Sequence, residues 1–171
     1  RDFTMSSKKR YYSLFIIYMA VLVIFDQITK LIARTTLSAG DIYIIPGVLQ
    51  LHLLYNTGAA FSILTGKTIV FYVLTPVIAA VIIYFFIRLP FEKKYLPMAF
   101  VLTSLVAGAA GNYIDRLVFS KVTDFIYFSI INFPVFNVAD IYVTISVIVL
   151  LVLILFYYKD EELSAWIKKK S

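Results

Sequence analysis

The sequence predicts a mainly α-helical integral membrane protein with four transmembrane helices, a small β-platform and a short helix on the outer face. Hydrophobic residues make up 61% of the 171 residues, and the mean hydropathy is +0.89. Charged residues make up only 15%, against roughly 25% in soluble chains. Apolar runs of about 20 residues, enough to cross ~30 Å of hydrocarbon, recur along the chain. We therefore expect a single membrane domain over residues 1–171.

The chain opens with a polar, basic segment and then an apolar run. Residues 1–10 are expected to form a cytoplasmic N-terminus. Residues 1–4 precede Met5; we interpret them as a remnant of an expression vector and leave them out of the fold reasoning. The apolar run that follows predicts the first transmembrane helix, over residues 12–34.

Two charged residues, Asp26 and Lys30, interrupt this first helix. A basic start, an apolar run and small residues at 37–40 could also form a cleavable secretory signal. The two charges within the apolar run argue against this and favour an uncleaved transmembrane helix. Because they are four residues apart, they share a helix face and can pair. We favour a structural ion pair near the membrane surface; the alternative is a contribution to the entrance of a site.

The segment 35–67 changes character and is predicted to lie on the outer face. Its β-favouring runs are broken by Pro46-Gly47, which favours a small β-hairpin or curved sheet on the membrane surface. His52, in the second run, is expected to be a strand residue at the interface rather than a catalytic base.

Three more apolar runs follow, and each is long enough to span a bilayer. The second run leads into a basic loop, and the third carries Gly108 and Gly111, which offer a surface of small residues for tight helix packing. A second outer-face segment is predicted at 117–136, and the tail at 159–171 is expected to need no fold. The predicted spans are residues 68–88, 95–116 and 137–158.

The distribution of positive charge predicts the orientation. Eleven of the sixteen Lys and Arg residues lie in the N-terminal segment, the 88–94 loop and the tail. By the positive-inside rule both termini are cytoplasmic, and the segments 35–67 and 117–136 face outward.

The composition excludes several kinds of chemistry. The chain has no cysteine and one histidine, so disulfides, cysteine nucleophiles and Cys/His zinc sites are excluded, and a Ser-His-Asp triad would have to use His52. Carboxylates, hydroxyls and lysines remain, and we expect no metal and no cofactor. The positive residues cluster at the ends of apolar runs, which favours membrane lipids as partners and not nucleic acid.

Polar residues collect in one stretch, 107–140, where they are costly near a bilayer and mark a candidate functional site. Asn137 and Asp140 have the spacing of a capping box, which alone would explain them. For Asp115 and Arg116 a local ion pair at the helix end is the default interpretation. The stretch holds Asn112, Asp115, Arg116, Asp124, Asn137 and Asp140.

Capping does not explain Asp124, which starts an apolar loop. If residues 125–136 fold back as a hairpin, Asp124 lies about 5 Å from the partner strand, and Asp140 only about another 5 Å away. Two such carboxylates share a proton, so one can deprotonate water while the other polarises a carbonyl oxygen. This is aspartic peptidase chemistry. A small ion- or proton-coupled transporter and a non-catalytic membrane assembly protein remain as alternatives.

Five motifs, in this order, together resemble bacterial lipoprotein signal peptidase (signal peptidase II), and the resemblance covers residues 12–158. It implies an aspartyl endopeptidase of the bacterial cytoplasmic membrane with its active site near the outer face. Its substrates would be prolipoproteins with a diacylglyceryl-modified lipobox cysteine, cut just before that cysteine. The motifs are Phe25-Asp-Gln-Ile-Thr-Lys30, Asn56-Thr-Gly-Ala-Ala-Phe61, Gly108-Ala-Ala-Gly-Asn-Tyr-Ile-Asp-Arg116, Val122-Thr-Asp-Phe125 and Phe136-Asn-Val-Ala-Asp140.

The resemblance also implies roles for individual residues. The catalytic pair falls on Asp124 and Asp140, in a protein expected to act as a monomer. Three positions depart from the family pattern: Thr123 stands where valine is commoner, Ala107 replaces a frequent glycine, and Ile141 stands where serine is frequent. None belongs to the pair, so activity is still expected. The supporting or substrate-binding residues fall on Asp26, Lys30, Asn56, Gly58, Asn112, Asp115, Arg116 and Asn137.

Overall fold

Four long apolar helices and a three-stranded antiparallel sheet dominate the part of the chain that the computed structural model describes, residues 5–58 and 68–168. The last membrane-spanning helix continues past Val152 through a π-helical turn at Leu153–Tyr157. The short helix beside the sheet is a single 3₁₀ turn at Ser129–Ile131. In chain order the elements are α1 (Met5–Thr36), β1 (Ile42–Ile45), β2 (Leu49–Asn56), α2 (Thr68–Arg88), α3 (Leu96–Phe119), β3 (Val122–Phe128), α4 (Val138–Val152) and α5 (Asp160–Lys168).

The helices α1 to α4 are long and apolar enough to cross a membrane, which confirms the predicted fold class. Their outward side chains are apolar and exposed, for example Ile16 at 62% and Val118 at 64%. The most apolar stretch of α3 is 50% buried, against 17% or less in the other three helices. The helix α3 is therefore the centre of the bundle.

The small residues of α3 allow the neighbouring helices to approach closely, as the sequence predicted. A Cβ atom added at Gly108 would lie 2.7 Å from the carbonyl oxygen of Ala139 and 2.7 Å from Cγ2 of Val143, both on α4. A Cβ atom at Gly111 would collide with the carboxylate of Asp26 on α1. Glycine at these positions lets backbone and polar groups of three helices meet.

Two helices extend beyond their predicted bounds. Whereas α1 was expected over 12–34, it runs from Met5 to Thr36, because a helix need not end where the hydrocarbon does. Likewise, α3 continues past Arg116 to Phe119 and ends at Ser120, which has a left-handed φ of 58° and donates its N–H to the Arg116 oxygen at 2.9 Å. The charge at Arg116 does not stop the helix because its guanidinium finds partners inside the protein.

The sheet has the order β1-β2-β3. The predicted hairpin joins β1 to β2 through the turn at Pro46-Gly47, where Gly47 has a φ of 75°. Residues 125–136 fold back as expected, and the N–H groups of Phe125 and Ile126 both donate to the Phe136 oxygen, at 3.0 and 2.8 Å. Asp124 itself, however, pairs with Leu54 of β2. The strand β3 pairs instead along β2, whose long free edge offers more hydrogen bonds than the segment that returns through the 3₁₀ turn.

The C-terminal tail was expected to need no fold, and this expectation is wrong. Its residues form α5, which packs against the end of the bundle opposite the sheet. Trp166 is 6% exposed and donates its Nε1–H to the Phe85 oxygen at 3.0 Å, while Glu162 pairs with Lys94. The tail is rich in charged residues, so its sequence did not indicate the apolar face of α5 that packs against the bundle.

Candidate active site

Asp124 and Asp140 line one cavity of about 1160 Å³ at the end of the bundle that carries the sheet. The cavity lies between the strands β2 and β3 and the facing sides of α2, α3 and α4. The side chains Phe71, Ile78 and Val143 make its helical wall largely apolar. The two predicted carboxylates therefore face a common space that an apolar molecule can enter.

Asp124 lies on β3 and is 2% exposed. Its Oδ2 accepts a hydrogen bond from Asn56 Nδ2 at 3.0 Å, and its Oδ1 accepts one from Asn137 Nδ2 at 2.6 Å. Burial, and after it the charge of Asp140, raises the pKa of Asp124 from 3.8 to about 6. Asp124 therefore holds a proton at a pH where an exposed aspartate is ionised.

Asp140 lies in the first turn of α4, where it forms the predicted capping box with Asn137. Its Oδ2 accepts the Asn137 N–H at 3.0 Å, and its own N–H donates to Asn137 Oδ1 at 3.1 Å. Capping alone does not account for this carboxylate, because its other oxygen accepts from Asn112 Nδ2 at 2.8 Å and it lines the cavity.

Asn137 is fully buried and joins the two carboxylates. Besides its bonds to Asp124 and Asp140, its Nδ2 donates to Asn112 Oδ1 at 3.0 Å. Because Asn112 in turn donates to Asp140, these three residues close a ring of hydrogen bonds in which backbone N–H groups link Asn137 to Asp140, and Asp124 is attached to it through Asn137. We call the four residues the polar ring (Asn112, Asp124, Asn137 and Asp140). The ring fixes the orientation of both carboxylates relative to each other.

The predicted ion pair of Asp26 and Lys30 forms at 2.9 Å, with both side chains 0% exposed. The pair lies inside the bundle, and its expected depth near the membrane surface stays a prediction. The glycine at position 111 leaves the space for the Asp26 carboxylate, and the Ala139 N–H donates to Asp26 Oδ1 at 3.0 Å. The pair therefore links α1 to the start of α4.

Lys30 also orients an amide of the polar ring. Its Nζ donates to Asn112 Oδ1 at 2.8 Å. An ammonium group can only donate, so the carbonyl oxygen of Asn112 must face Lys30, and its NH₂ group must face Asp140. The ion pair thus supports the ring and does not form the entrance of the site.

The expected ion pair between Asp115 and Arg116 is wrong. Within residues 5–58 and 68–168, the ion pairs of Asp115 reach Lys30 at 3.8 Å and Arg34 at 3.7 Å, and none reaches Arg116. Consecutive helical residues point about 100° apart, so the two side chains serve different neighbours. The second oxygen of Asp115 accepts the Thr123 N–H at 2.8 Å, which ties α3 to β3.

Arg116 and Asn56 hold the turn that follows β2. Nη2 of Arg116 donates to the Gly58 oxygen at 3.2 Å, and the Gly58 N–H donates to Asn56 Oδ1 at 2.8 Å. With its oxygen so occupied, Asn56 presents its NH₂ group to Asp124. Residues 59–61 of the predicted motif lie outside the described residues.

The side chains of Gln27, Arg34 and Thr123 lie near the site but were not predicted as site residues from the sequence. Gln27 donates to Asp115 Oδ1 at 3.3 Å, and Arg34 Nη1 donates to Thr123 Oγ1 at 2.9 Å. A signal for Arg34 was present, because it follows Lys30 by four residues and so continues the polar stripe of α1. No sequence pattern pointed to the contact with Thr123.

His52 lies on β2, as expected, and takes no part in the polar ring. Its Nδ1 lies 2.9 Å from Asp41 Oδ1, and its side chain is 40% exposed. The histidine is thus engaged with a surface carboxylate at the rim of the cavity.

Comparison with known proteins identifies a family whose sequences match most of this chain. The family described as Signal peptidase (SPase) II matches residues 18–156. The lipoprotein signal peptidase of Staphylococcus haemolyticus (strain JCSC1435) is 43% identical over 153 residues, which cover 86% of this chain and 95% of that protein. The lipoprotein signal peptidase of Staphylococcus aureus (strain JH9) is 40% identical over 152 residues, which cover 86% and 91%.

Two solved structures, both described as a bacterial membrane enzyme structure by the in meso method, share the fold. The one at 2.3 Å resolution has a TM-score of 0.74 and 36% identity, and covers 86% of this chain and 93% of its own. The one at 1.9 Å resolution has a TM-score of 0.73 and 38% identity, and covers 85% and 95%.

The four apolar helices and these matches define a membrane-bound bacterial peptidase. The chain belongs to the signal peptidase II family, which confirms the resemblance found in the sequence. The alternative of an ion- or proton-coupled transporter finds no support in these comparisons.

Proposed function

We propose that this protein is an aspartyl endopeptidase that removes signal peptides from diacylglyceryl-modified bacterial prolipoproteins, cutting just before the lipidated cysteine. The observation that supports the proposal most strongly is that Asn137 donates hydrogen bonds to both Asp124 and Asp140, which line one cavity. The names of the relatives, lipoprotein signal peptidases, support the choice of substrate.

The proposed chemistry divides the work between the two carboxylates. Asp124, whose pKa is raised to about 6, carries the shared proton, and Asp140 in the first turn of α4 acts as the base. Asp140 takes a proton from water as the water oxygen bonds to the scissile carbonyl carbon, and Asp124 gives its proton to the carbonyl oxygen. When the carbon–nitrogen bond breaks, Asp140 returns its proton to the leaving amine of the cysteine. A hydroxyl of the intermediate returns the other proton to Asp124.

The apolar wall of the cavity supports a substrate that arrives from the bilayer. Phe71, Ile78 and Val143 would contact the signal helix as it enters sideways, and the diacylglyceryl chains would remain in the hydrocarbon. Such contact contributes about 0.8 kcal/mol per buried CH₂ group. Binding would therefore depend on the lipid as well as on the peptide.

The proposed orientation has both termini in the cytoplasm and the cavity near the outer face of the cytoplasmic membrane. The excess of Lys and Arg in the N-terminal segment, the 88–94 loop and the tail supports it. We propose that the protein acts as a monomer among membrane lipids.

One experiment tests the function. Purified protein is incubated with diacylglyceryl-modified and unmodified prolipoprotein, and we expect cleavage of the lipidated form alone. Asp124→Asn and Asp140→Asn should each abolish cleavage without loss of folding, whereas the matched control Asp41→Asn, at an exposed carboxylate of the platform, should not. Equal cleavage of both substrates would refute the lipid requirement, and full turnover by either dyad variant would refute the dyad. Tolerance of both substitutions would favour the non-catalytic assembly protein.

A further inference from the structure

Thr123, the residue before Asp124, is held from two sides by the helix bundle. The residue is 1% exposed. Its N–H donates to Asp115 Oδ2 at 2.8 Å, and its hydroxyl accepts a hydrogen bond from Arg34 Nη1 at 2.9 Å. Arg34 lies in the last turn of α1, and its Nη1 is also 3.7 Å from Asp115 Oδ1. The elements α1, α3 and β3 therefore meet at Thr123.

The sheet alone does not fix the direction of Asp124. The pairing of β2 with β3 shifts register between Leu51 and Leu54, whose partners are Ile126 and Asp124. One extra residue on β2 makes this a bulge, which interrupts the ladder and increases the local twist. Asp124 lies at the edge of this irregular stretch, so its orientation needs a restraint from outside the sheet.

The hold on Thr123 supplies such a restraint. Successive side chains of a strand point to opposite faces, so the direction of Thr123 determines the direction of Asp124. A rotation of β3 that carried Thr123 away from Arg34 would also swing Asp124 away from Asn56 and Asn137. Those amide donors lie at 3.0 and 2.6 Å, so such a rotation would lengthen and weaken both bonds.

We propose that Arg34 is a positioning residue for Asp124 and acts through the hydroxyl of Thr123. The proposal rests on the proposed function, since it needs Asp124 to take part in the reaction. In the described part of the chain Arg34 has no hydrogen bond or ion pair with Asp124 or Asp140. Its polar contacts are the Thr123 hydroxyl and the Asp115 carboxylate, which itself accepts the Thr123 N–H, so both routes from Arg34 toward Asp124 lead through Thr123. The ring of Phe119, 4.6 Å from the guanidinium carbon, keeps the Arg34 head group in place.

A double-mutant cycle tests this proposal. Thr123→Val removes the acceptor and keeps the branched shape, Arg34→Met removes the donor, and Arg34→Lys keeps a donor. The measurements are kcat and KM for a lipidated prolipoprotein and the midpoint of thermal unfolding. We expect Thr123→Val and Arg34→Met each to lower kcat about five- to twentyfold, with KM within about twofold of the parent. The double variant should lose no more than the worse single variant, and Arg34→Lys should recover most of the loss.

Several results would overturn the proposal. These are unchanged kcat in both single variants, losses that multiply in the double variant, or a lower unfolding midpoint with kcat per folded molecule unchanged. Should Arg34→Met fail to fold, Arg34→Leu, which also removes the donor, takes its place in the cycle with Thr123→Val. If Asp124→Asn turns over normally, the proposed function fails and this proposal with it. If Asp124→Asn is inactive and the cycle shows no coupling, only the role of Arg34 fails.

Discussion

Replacing Gly108 with alanine tests whether the spacing of α3 and α4 sets the geometry of the polar ring. The new Cβ would lie 2.7 Å from both the Ala139 oxygen and Val143 Cγ2, whereas ordinary contacts begin near 3.4 Å. The two helices must therefore separate by roughly half an ångström. Asn112 lies one turn beyond Gly108, and its 2.8 Å bond to Asp140 would lengthen by a similar amount. We expect a loss of about 1–3 kcal/mol in unfolding free energy and a fall of about 10- to 100-fold in kcat.

The assay combines single-turnover cleavage of a lipidated prolipoprotein with thermal unfolding in detergent. Val143→Ala serves as the companion change, because it removes one of the two atoms that the new methyl group meets. The double variant Gly108→Ala/Val143→Ala should recover only part of the loss, since the Ala139 carbonyl stays in place. A Gly108→Ala protein with kcat within about twofold of the parent and an unchanged unfolding midpoint would refute this reasoning.

Three further predictions address the pH dependence, the buried ion pair and the tail. Because Asp124 must be protonated and its pKa is about 6, kcat/KM should fall about tenfold per pH unit above that value, and a flat profile from about pH 5 to 9 would contradict this. Because its pKa is raised on folding, protonated Asp124 stabilises the folded state at low pH, and this contribution is lost as the pH rises through about 6. The unfolding free energy should therefore fall with pH in this range, and Asp124→Asn should remove that fall. Lys30→Met leaves the buried carboxylate of Asp26 without its cation and Asp115 with Arg34 alone, and it should cost about 3–5 kcal/mol of unfolding free energy. The same change at exposed Lys93 should cost under about 0.5 kcal/mol, and equal effects would exclude the buried pair as the cause. Trp166→Ala should lower the unfolding free energy by about 3–5 kcal/mol and leave kcat per folded molecule unchanged. A variant as stable as the parent would show that α5 is not docked against the bundle in the membrane.

The sequence predicted the features that depend on length and local spacing. Four apolar runs gave the four helices, because hydrocarbon thickness dictates their length. The spacing of Asn137 and Asp140 gave the capping box, because that motif is closed by residues three apart. The roles of the residues in catalysis rest on the family resemblance and stay predictions.

Contacts between distant elements were beyond the reach of the sequence. The partner of Asp115 is not its neighbour Arg116 but Thr123 and two side chains of α1, because helix packing and not sequence proximity decides where a side chain points. For the same reason the spacing of Asp26 and Lys30 predicted their pairing but not that the pair packs against the glycine at position 111 inside the bundle.

The two roles of Asn137 couple the folding of α4 to the assembly of the candidate site. The side chain that caps the first turn of α4 is the same one that binds Asp124. Fraying of that turn therefore separates the carboxylates, and each reclosure restores them together. Amide hydrogen exchange at Asp140, whose N–H donates to the cap, would then measure the fraction of molecules in which the site is assembled, without any substrate present.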